Sequence, residues 1–154
     1  MKQNNLLKVR SLKQSDIPQA QEIIRCWEPL FLEKKAQFLW SELDIRDEIE
    51  QQMAVGGFYN GQLVCFITYH LIPPVLEIRC LSTHPGYQGY GFMKHLISSL
   101  WDVHNDSNEV WLEVHENNAN AKKLYEVLGF VEVARRSRYY SDGGSAILYK
   151  KRRA

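Results

Sequence analysis

Three cysteines among 154 residues, odd in number and far apart at Cys26, Cys65 and Cys80, exclude a disulfide framework and lack metal-ligand spacing. They read as buried free thiols. The five histidines, His70, His84, His95, His104 and His115, are as scattered and compose no metal site. No apolar run is long enough to span a bilayer, and no secretory apolar segment follows Met1-Lys2-Gln3-Asn4-Asn5, so a cytoplasmic location is expected. A formal net charge of +1 gives no pull toward nucleic acid or a membrane surface. The one local excess, Lys150-Lys151-Arg152-Arg153, reads as a solvated tail or a contact for an acidic partner. Repeats, low-complexity tracts and linkers are missing. So are both familiar nucleotide signatures: no Gly-Lys-Ser/Thr ending occurs, and Gly89-x-Gly91 is followed by Lys94 where a dinucleotide fingerprint needs a third glycine.

What is present is an ordinary globular composition, 45% apolar and 24% charged. The length allows one core and is too short for two ordinary domains, so residues 1–154 are expected to form a single domain. Leu7 to Leu12 reads as a first strand, and Ser15 or Asp16 as the cap of a helix with the stripe Ile17, Ala20, Ile23, Ile24 and Trp27. Pro29 to Trp40, with Phe31 and Phe38, suits a loop or short helix beside a cleft. A second helix carries Ile45, Ile49 and Met53 and ends at Gly56-Gly57. Strands near Phe58-Tyr59 and from Leu63 to Leu71 meet at an Asn60-Gly61 turn. Leu76 to Thr83 is a buried strand, broken by His84-Pro85-Gly86. Phe92, Met93, Leu96, Ile97, Leu100 and Trp101 then form a helical stripe. Val110, Leu112 and Val114 alternate with Trp111, Glu113 and His115, a strand with one apolar face. Asn118 opens and Gly129 closes a short helix carrying Ala121, Leu124, Tyr125 and Leu128. Strands from Val131 to Arg135 and from Ala146 to Lys150 follow. The order β-α-α-β-β-β-α-β-α-β-β predicts an α/β (α+β) fold, a mixed and mostly antiparallel sheet of about seven strands with helices on both faces.

The most informative stretch is Gln88-Gly89-Tyr90-Gly91-Phe92-Met93, where a strand feeds an amphipathic helix. Glycines there let backbone approach a ligand, and the free amides of a first helical turn offer donors and partial positive charge to a phosphate. Two glycines alone serve a plain turn as readily. The second block, Asn118 to Phe130, decides between the readings.

Together the two blocks resemble the GNAT superfamily of acetyl-CoA-dependent N-acetyltransferases. The family's phosphate loop, Q/R-x-x-G-x-G/A, is matched at Gln88 and Gly91, and its N-x-x-A-x-x-L-Y-x-x-x-G-F signature at Asn118, Ala121, Leu124, Tyr125, Gly129 and Phe130. The blocks stand in the family's order and cover roughly the second half of the chain. The resemblance implies the GNAT fold, acetyl-CoA as co-substrate, and a monomer or homodimer. It implies cofactor contacts from Leu81 and Thr83 on the strand and from Gln88, Gly89, Tyr90, Gly91, Phe92 and Met93 in the loop. Asn118 and Tyr125 would add contacts to the pantetheine arm and thioester. Met93 departs from the family's Gly or Ala, so its side chain must tilt the helix start or turn into the core.

Acyl transfer from a thioester to an amine needs a neutral amine, a polarised carbonyl and a protonated leaving thiolate. Tyr125 stands where GNAT enzymes commonly place the tyrosine that protonates the thiolate. A phenol near pKa 10 donates to a thiolate near 8.5 at a cost of roughly 2 kcal/mol. Glu77, 11 residues before Gln88, and Glu113, 12 before Tyr125, are the candidate bases. His115 shares the face of Glu113 but reads as a surface residue, and His84 has no assigned role.

The segment after Phe130, with its basic stretch and Tyr139-Tyr140 pair, is similar to that of protein N-terminal acetyltransferases, where such tyrosines hold the start of the substrate chain. Leu112-Glu113-Val114 and Leu124-Tyr125-Glu126 extend the similarity to the bacterial ribosomal-protein N-terminal alanine acetyltransferases. Ser145 departs from their usual acidic residue. An α-amine near pKa 8 costs roughly 1.4 kcal/mol to neutralise at pH 7, a lysine nearer 4.6. A peptide N-terminus is therefore the favoured acceptor, with a polyamine or aminoglycoside-like amine, and a non-catalytic acetyl-CoA-binding regulatory domain, as alternatives.

Overall fold

Asn60 and Gly61, with φ of 50° and 76°, reverse the chain in two residues and join β2 (Ala54–Tyr59) to β3 (Gln62–Ile72). In the computed structural model, which describes residues 6–33, 42–140 and 142–153 (28–33, 42 and 43 by backbone alone), this hairpin is the middle of one side of a seven-stranded sheet. The other strands are β1 (Lys8–Ser11), β4 (Val75–Thr83), β5 (Glu109–His115), β6 (Val131–Arg136) and β7 (Ala146–Arg152). Their order across the sheet is β1-β2-β3-β4-β5-β7-β6. Every pairing is antiparallel except β4 with β5.

That exception makes the opening on which function depends. β4 and β5 pair only at Val75, Leu76 and Glu77, opposite Glu109, Val110 and Trp111. Beyond Glu77 they part: Ile78 to Thr83 of β4 pairs with β3 alone, and β5 continues against β7. A register shift at Thr68/Tyr69 leaves Arg79 as an extra residue of β4, a bulge that bends the strand where it departs.

Helices cover the sheet unevenly. α1 (Ile17–Glu33) and α2 (Glu42–Glu50) pack Ile17, Ala20, Ile23, Ile45 and Ile49 on Phe58, Leu63 and Phe66 of the first strands. On the opposite face α3 (Phe92–Val103) and α4 (Ala119–Val127) bring Leu96, Ile97, Leu100 and Tyr125 onto Ile78, Val110, Leu112 and Val114. Each buried Ile, Leu, Val or Phe among them contributes roughly 1.5–3 kcal/mol relative to exposure. Among the described residues no helix packs on the face of β5, β7 and β6 that lies on the α1/α2 side.

Several expectations are corrected here. α2 ends at Glu50, and Gly56-Gly57 lies inside β2 instead of stopping a helix. A Cβ on Gly56 would lie 2.7 Å from Leu63 Cδ1, and one on Gly57 2.7 Å from Cys65 Sγ, so close packing demands both glycines. Asp16 does not cap α1; a short helical turn, Gln14–Asp16, runs into it, while Asp16 accepts the Lys13 N–H and pairs with Arg10. α1 continues past Pro29 to Glu33, and Phe38 and Trp40 lie outside the described residues. The basic C-terminal run is no solvated tail. Lys150 pairs with Glu109 over the Trp111 ring, and Arg153 stacks on Trp101 while donating to the Trp101, His104 and Ser107 carbonyls. Of the thiols only Cys65 is fully buried.

Candidate active site

The strand-to-helix loop folds as its glycines require. Gly89 and Gly91 take φ of 79° and 77°, and a Cβ on either would meet no atom within 4 Å, so the space in front of them is open. Gly91 is the N-cap of α3 with no side chain over it, and the first intrahelical bond shown at this end is His95 N–H to the Gly91 carbonyl at 3.1 Å. The N–H groups of Phe92, Met93 and Lys94 therefore have no acceptor within the helix. Met93 turns into the core, 7% exposed, and leaves the cradle clear. Tyr90 is exposed and stacks on Phe92 at 5.3 Å, and Gln88 is exposed in extended conformation.

Along the opening, Leu81 and Thr83 are half-buried on the part of β4 with no second strand. The Thr83 carbonyl accepts from Trp27 Nε1 at 2.9 Å, which ties α1 to this strand end. Beside it His84 accepts the Gly86 N–H at Nδ1, with Cys26 Sγ 3.9 Å from Nε2. Across the gap Asn118 caps α4, its Oδ1 taking the Ala121 N–H at 3.2 Å, and Gly129, at φ 92°, closes that helix. Tyr125 is 3% exposed, its ring 5.9 Å from those of Phe130 and Tyr149. Burial first, then the neighbouring Cys80, Tyr140 and Tyr149, push its hydroxyl well above the ordinary phenol range. Cys80 belongs to β4, Tyr140 to the β6–β7 loop and Tyr149 to β7, so groups from both sides of the opening act on this hydroxyl. Burial likewise pushes the Cys65 and Cys80 thiols up to about 12, which keeps both protonated and unreactive.

The helix-free face of β5 carries Trp111, Glu113 and His115. Glu113 has Arg136 Nη1 at 3.4 Å, and Arg136 lies over the Tyr139 ring at 5.5 Å. Tyr140 meets Tyr139 edge-on at 5.1 Å. Its hydroxyl is pushed up to about 12 by burial and then by Glu113, Tyr139 and Asp142. His115 is not the surface residue expected: it stacks on Tyr140 and pairs with Asp142 at 2.7 Å. Glu77 stands exposed at the last rung shared by β4 and β5, with no hydrogen bond or ion pair among the described residues. Glu113 acts on Tyr140 and Tyr140 in turn on Tyr125, while Glu77 stands at the last rung where β4 and β5 still pair. Asp142 and Arg136 escaped sequence reasoning, since their contacts span 27 and 23 residues of unpatterned loop and strand. His115 was visible only as a face-mate of Glu113.

The acetyltransferase (GNAT) family matches residues 17–130. The chain belongs to that family. The ribosomal protein bS18-alanine N-acetyltransferase of Escherichia coli is 30% identical over 141 residues, 88% of this chain and 89% of that protein. The crystal structure of the ribosomal-protein-S18-alanine N-acetyltransferase from that species superposes with a TM-score of 0.82 at 27% identity, covering 96% and 94% of the two chains. The N-alpha-acetyltransferase RimI of Mycobacterium tuberculosis is 38% identical over 95 residues, 59% of this chain and 60% of that protein. The PaiA N-acetyltransferase of Thermoplasma acidophilum, solved in complex with coenzyme A, shares the fold at TM-score 0.78 and 19% identity, covering 96% and 99%.

As a GNAT enzyme the chain is an acetyl-CoA-dependent acyltransferase, and its architecture fits that co-substrate. A cradle of free amides with glycines open to the outside suits a pyrophosphate, and an unpaired strand edge suits the amides of a pantetheine arm. Among the described residues no three His, Cys, Asp or Glu gather to hold a metal, and no helix is long and apolar enough to cross a membrane.

Proposed function

We propose that this acetyltransferase acts on the α-amino group of a protein N-terminus. The observation that carries the reading is the helix-free face of β5, where Glu113 stands beside a wall built from Tyr139 and Tyr140. Such a face admits an extended chain lying over the strand. The ribosomal-protein specificity named for the Escherichia coli relative makes an alanine-starting peptide the first acceptor to try.

In this reading the backbone at Gly89, Gly91, Phe92 and Met93 holds the pyrophosphate, with Gln88 and Tyr90 at its rim. Leu81, Thr83 and Asn118 hold the pantetheine arm. Tyr139 and Tyr140 hold the first residues of the acceptor. Acetyl-CoA supplies the activated acyl group; the chain's residues move the protons. Glu113 takes one proton from the incoming amine. As nitrogen bonds to the acyl carbon and the carbon–sulfur bond breaks, Tyr125 gives its hydroxyl proton to sulfur and regains one from the same nitrogen. Glu77 is the second candidate base. The raised affinity of Tyr125 for its proton is no obstacle, because desolvation that raises a phenol raises the basicity of a departing thiolate beside it as well.

The test is thiol release from acetyl-CoA by the purified protein, with an Ala- or Ser-starting peptide, its N-blocked form and a polyamine panel in parallel. Turnover with the free peptide alone is expected. Turnover with polyamines alone overturns the acceptor assignment. Within the active case, Glu113→Gln is expected to lower kcat more than Glu77→Gln, and the reverse order would transfer the base to Glu77.

A further inference from the structure

His115 points from β5 to the same side as Glu113, yet it is not available as a base. Its Nδ1 accepts the Asn117 N–H at 3.1 Å, and its Nε2 lies 2.7 Å from Asp142 Oδ2. The first bond requires an unprotonated Nδ1, so the ring proton sits on Nε2 and is donated to Asp142. Both nitrogens are committed. The ring itself is boxed in as well. Tyr140 stacks on it with centroids 4.8 Å apart and planes at 26°, and Gly144 passes so close that a Cβ there would collide with the imidazole.

The loop around this ring is knitted to the same pair. Asp142 Oδ1 accepts the Gly144 N–H at 2.8 Å, and that bond, with His115 as a lesser cause, holds its carboxyl below the usual range. Tyr140 closes the turn, its N–H donating to the Gly144 carbonyl at 3.0 Å and its carbonyl accepting from Gly143 N–H at 2.9 Å. The base of the loop is fixed elsewhere, by Glu116 Oε1 accepting the Ser145 N–H at 3.1 Å. What anchors the tip, and with it Tyr140, is His115.

We propose that His115 and Asp142 form a latch that holds the β6–β7 loop down on β5 and fixes Tyr140 as the wall of the acceptor groove. The proposal rests on the N-terminal acceptor reading above. His115 is then a positioning residue, acting through Tyr140, and it sets acceptor affinity. Neither the pyrophosphate cradle nor the proton chemistry of Tyr125 passes through it.

Steady-state kinetics on the Ala-starting peptide test the latch, with acetyl-CoA affinity and melting temperature measured alongside. His115→Ala is expected to raise the peptide KM by about tenfold or more, the factor that a contact pair coupled by roughly 1.4 kcal/mol supplies, while kcat and acetyl-CoA affinity hold. His115→Phe keeps the stack and loses the donor; His115→Gln keeps a donor and loses the ring. Each is expected to restore part of the KM. Gly144→Ala, whose Cβ would fall on the imidazole and press on Asp142 Oδ1, should reproduce His115→Ala. Combining His115→Ala with Asp142→Asn should add little to either alone. An unchanged KM in His115→Ala overturns the latch, as does a fall in kcat at constant KM, which would mark His115 as catalytic. Should the wild type not acetylate the peptide, the acceptor reading falls by itself. The latch is then judged by the His115 Nε2 proton in NMR, which must exchange slowly in the wild type and be lost in Asp142→Asn. Fast exchange in the wild type overturns it.

Discussion

The cradle at the start of α3 and the wall above β5 flank the same opening but are made of different material. The cradle is backbone: two glycines in the left-handed region and three helical N–H groups, with the side chain of Met93 turned into the core. The wall is side chains, Tyr139 and Tyr140 on a loop fixed by His115 and Asp142. A backbone site needs only the absence of Cβ atoms at two places and a helix behind it, and tolerates much variation in the residues between. A side-chain site needs particular partners at particular distances, and it is the part that can be altered to suit one acceptor. Every enzyme of the family meets the same pyrophosphate, whereas acceptors differ.

Tyr125 lies between the two and belongs to neither, so removing its hydroxyl should give the largest effect while leaving both walls intact. Tyr125→Phe is expected to lower kcat by about 10²-fold or more, within the range for loss of a positioned proton donor. Acetyl-CoA affinity and peptide KM should stay within a factor of about two of wild type. A loss of acetyl-CoA affinity of the same size would instead make Tyr125 a packing residue of the α4 stripe.

Smaller, and aimed at the cradle alone, is a pair of alanine substitutions with matched strain. Gly91 and Gly61 have φ of 77° and 76°, and at neither would a Cβ meet any atom within 4 Å. Each alanine therefore costs the same left-handed backbone penalty, about 1–2 kcal/mol. Only Gly91 borders the cradle. Both variants should lose similar stability in thermal melts, and Gly91→Ala alone should weaken acetyl-CoA binding, by about tenfold for a contact loss near 1.4 kcal/mol. Equal affinities in calorimetry would show that the cradle lies elsewhere.

The same division explains what could be read from the sequence. The Asn60-Gly61 turn, the α3 stripe and the Gln88–Met93 loop all depend on neighbours within a few residues, and each lies where the sequence puts it. Periodicity assigns Tyr125 to the buried stripe of α4 and Glu113 to the face of β5 away from Val110, Leu112 and Val114, and both lie there. Gly56-Gly57 was misread because the reason for those glycines, the side chains of Leu63 and Cys65 pressing on β2, comes from across the sheet. His115 was misread for a like reason, since Asp142 reaches it from 27 residues away through a turn with no periodicity. The basic C-terminal run looks like a tail in one dimension. Its partners Glu109, Trp101 and Ser107 become neighbours only when β7 is laid against β5.

The two halves of the sheet also differ in how they use an arginine, and this gives the smallest of the expected effects. On the covered half Arg10 grips Asp16 through two bonds of 2.7 and 2.9 Å, with the Asp16 side chain 5% exposed. On the open half Arg136 stands 3.4 Å from Glu113, and the two side chains are 53% and 30% exposed. Solvent screens the second pair, so Arg136→Gln should change stability by no more than about 0.5 kcal/mol. Asp16→Asn breaks a buried, charge-assisted bond and should cost about 1–3 kcal/mol at pH 7. The hydrogen bond from Arg10, then the Lys13 N–H and both cationic charges, hold the Asp16 carboxyl below the usual carboxylate range. A carboxyl depressed in the folded state gives stability that is fully present above its unfolded value, about 3.9, and is lost as pH falls through the folded one. Urea midpoints of wild type and Asp16→Asn should therefore stay well apart from pH 7 to about 5 and converge below about 4. A gap that persists unchanged to pH 3 would mean that the shape of the carboxamide, and not the lost charge, destabilises the variant.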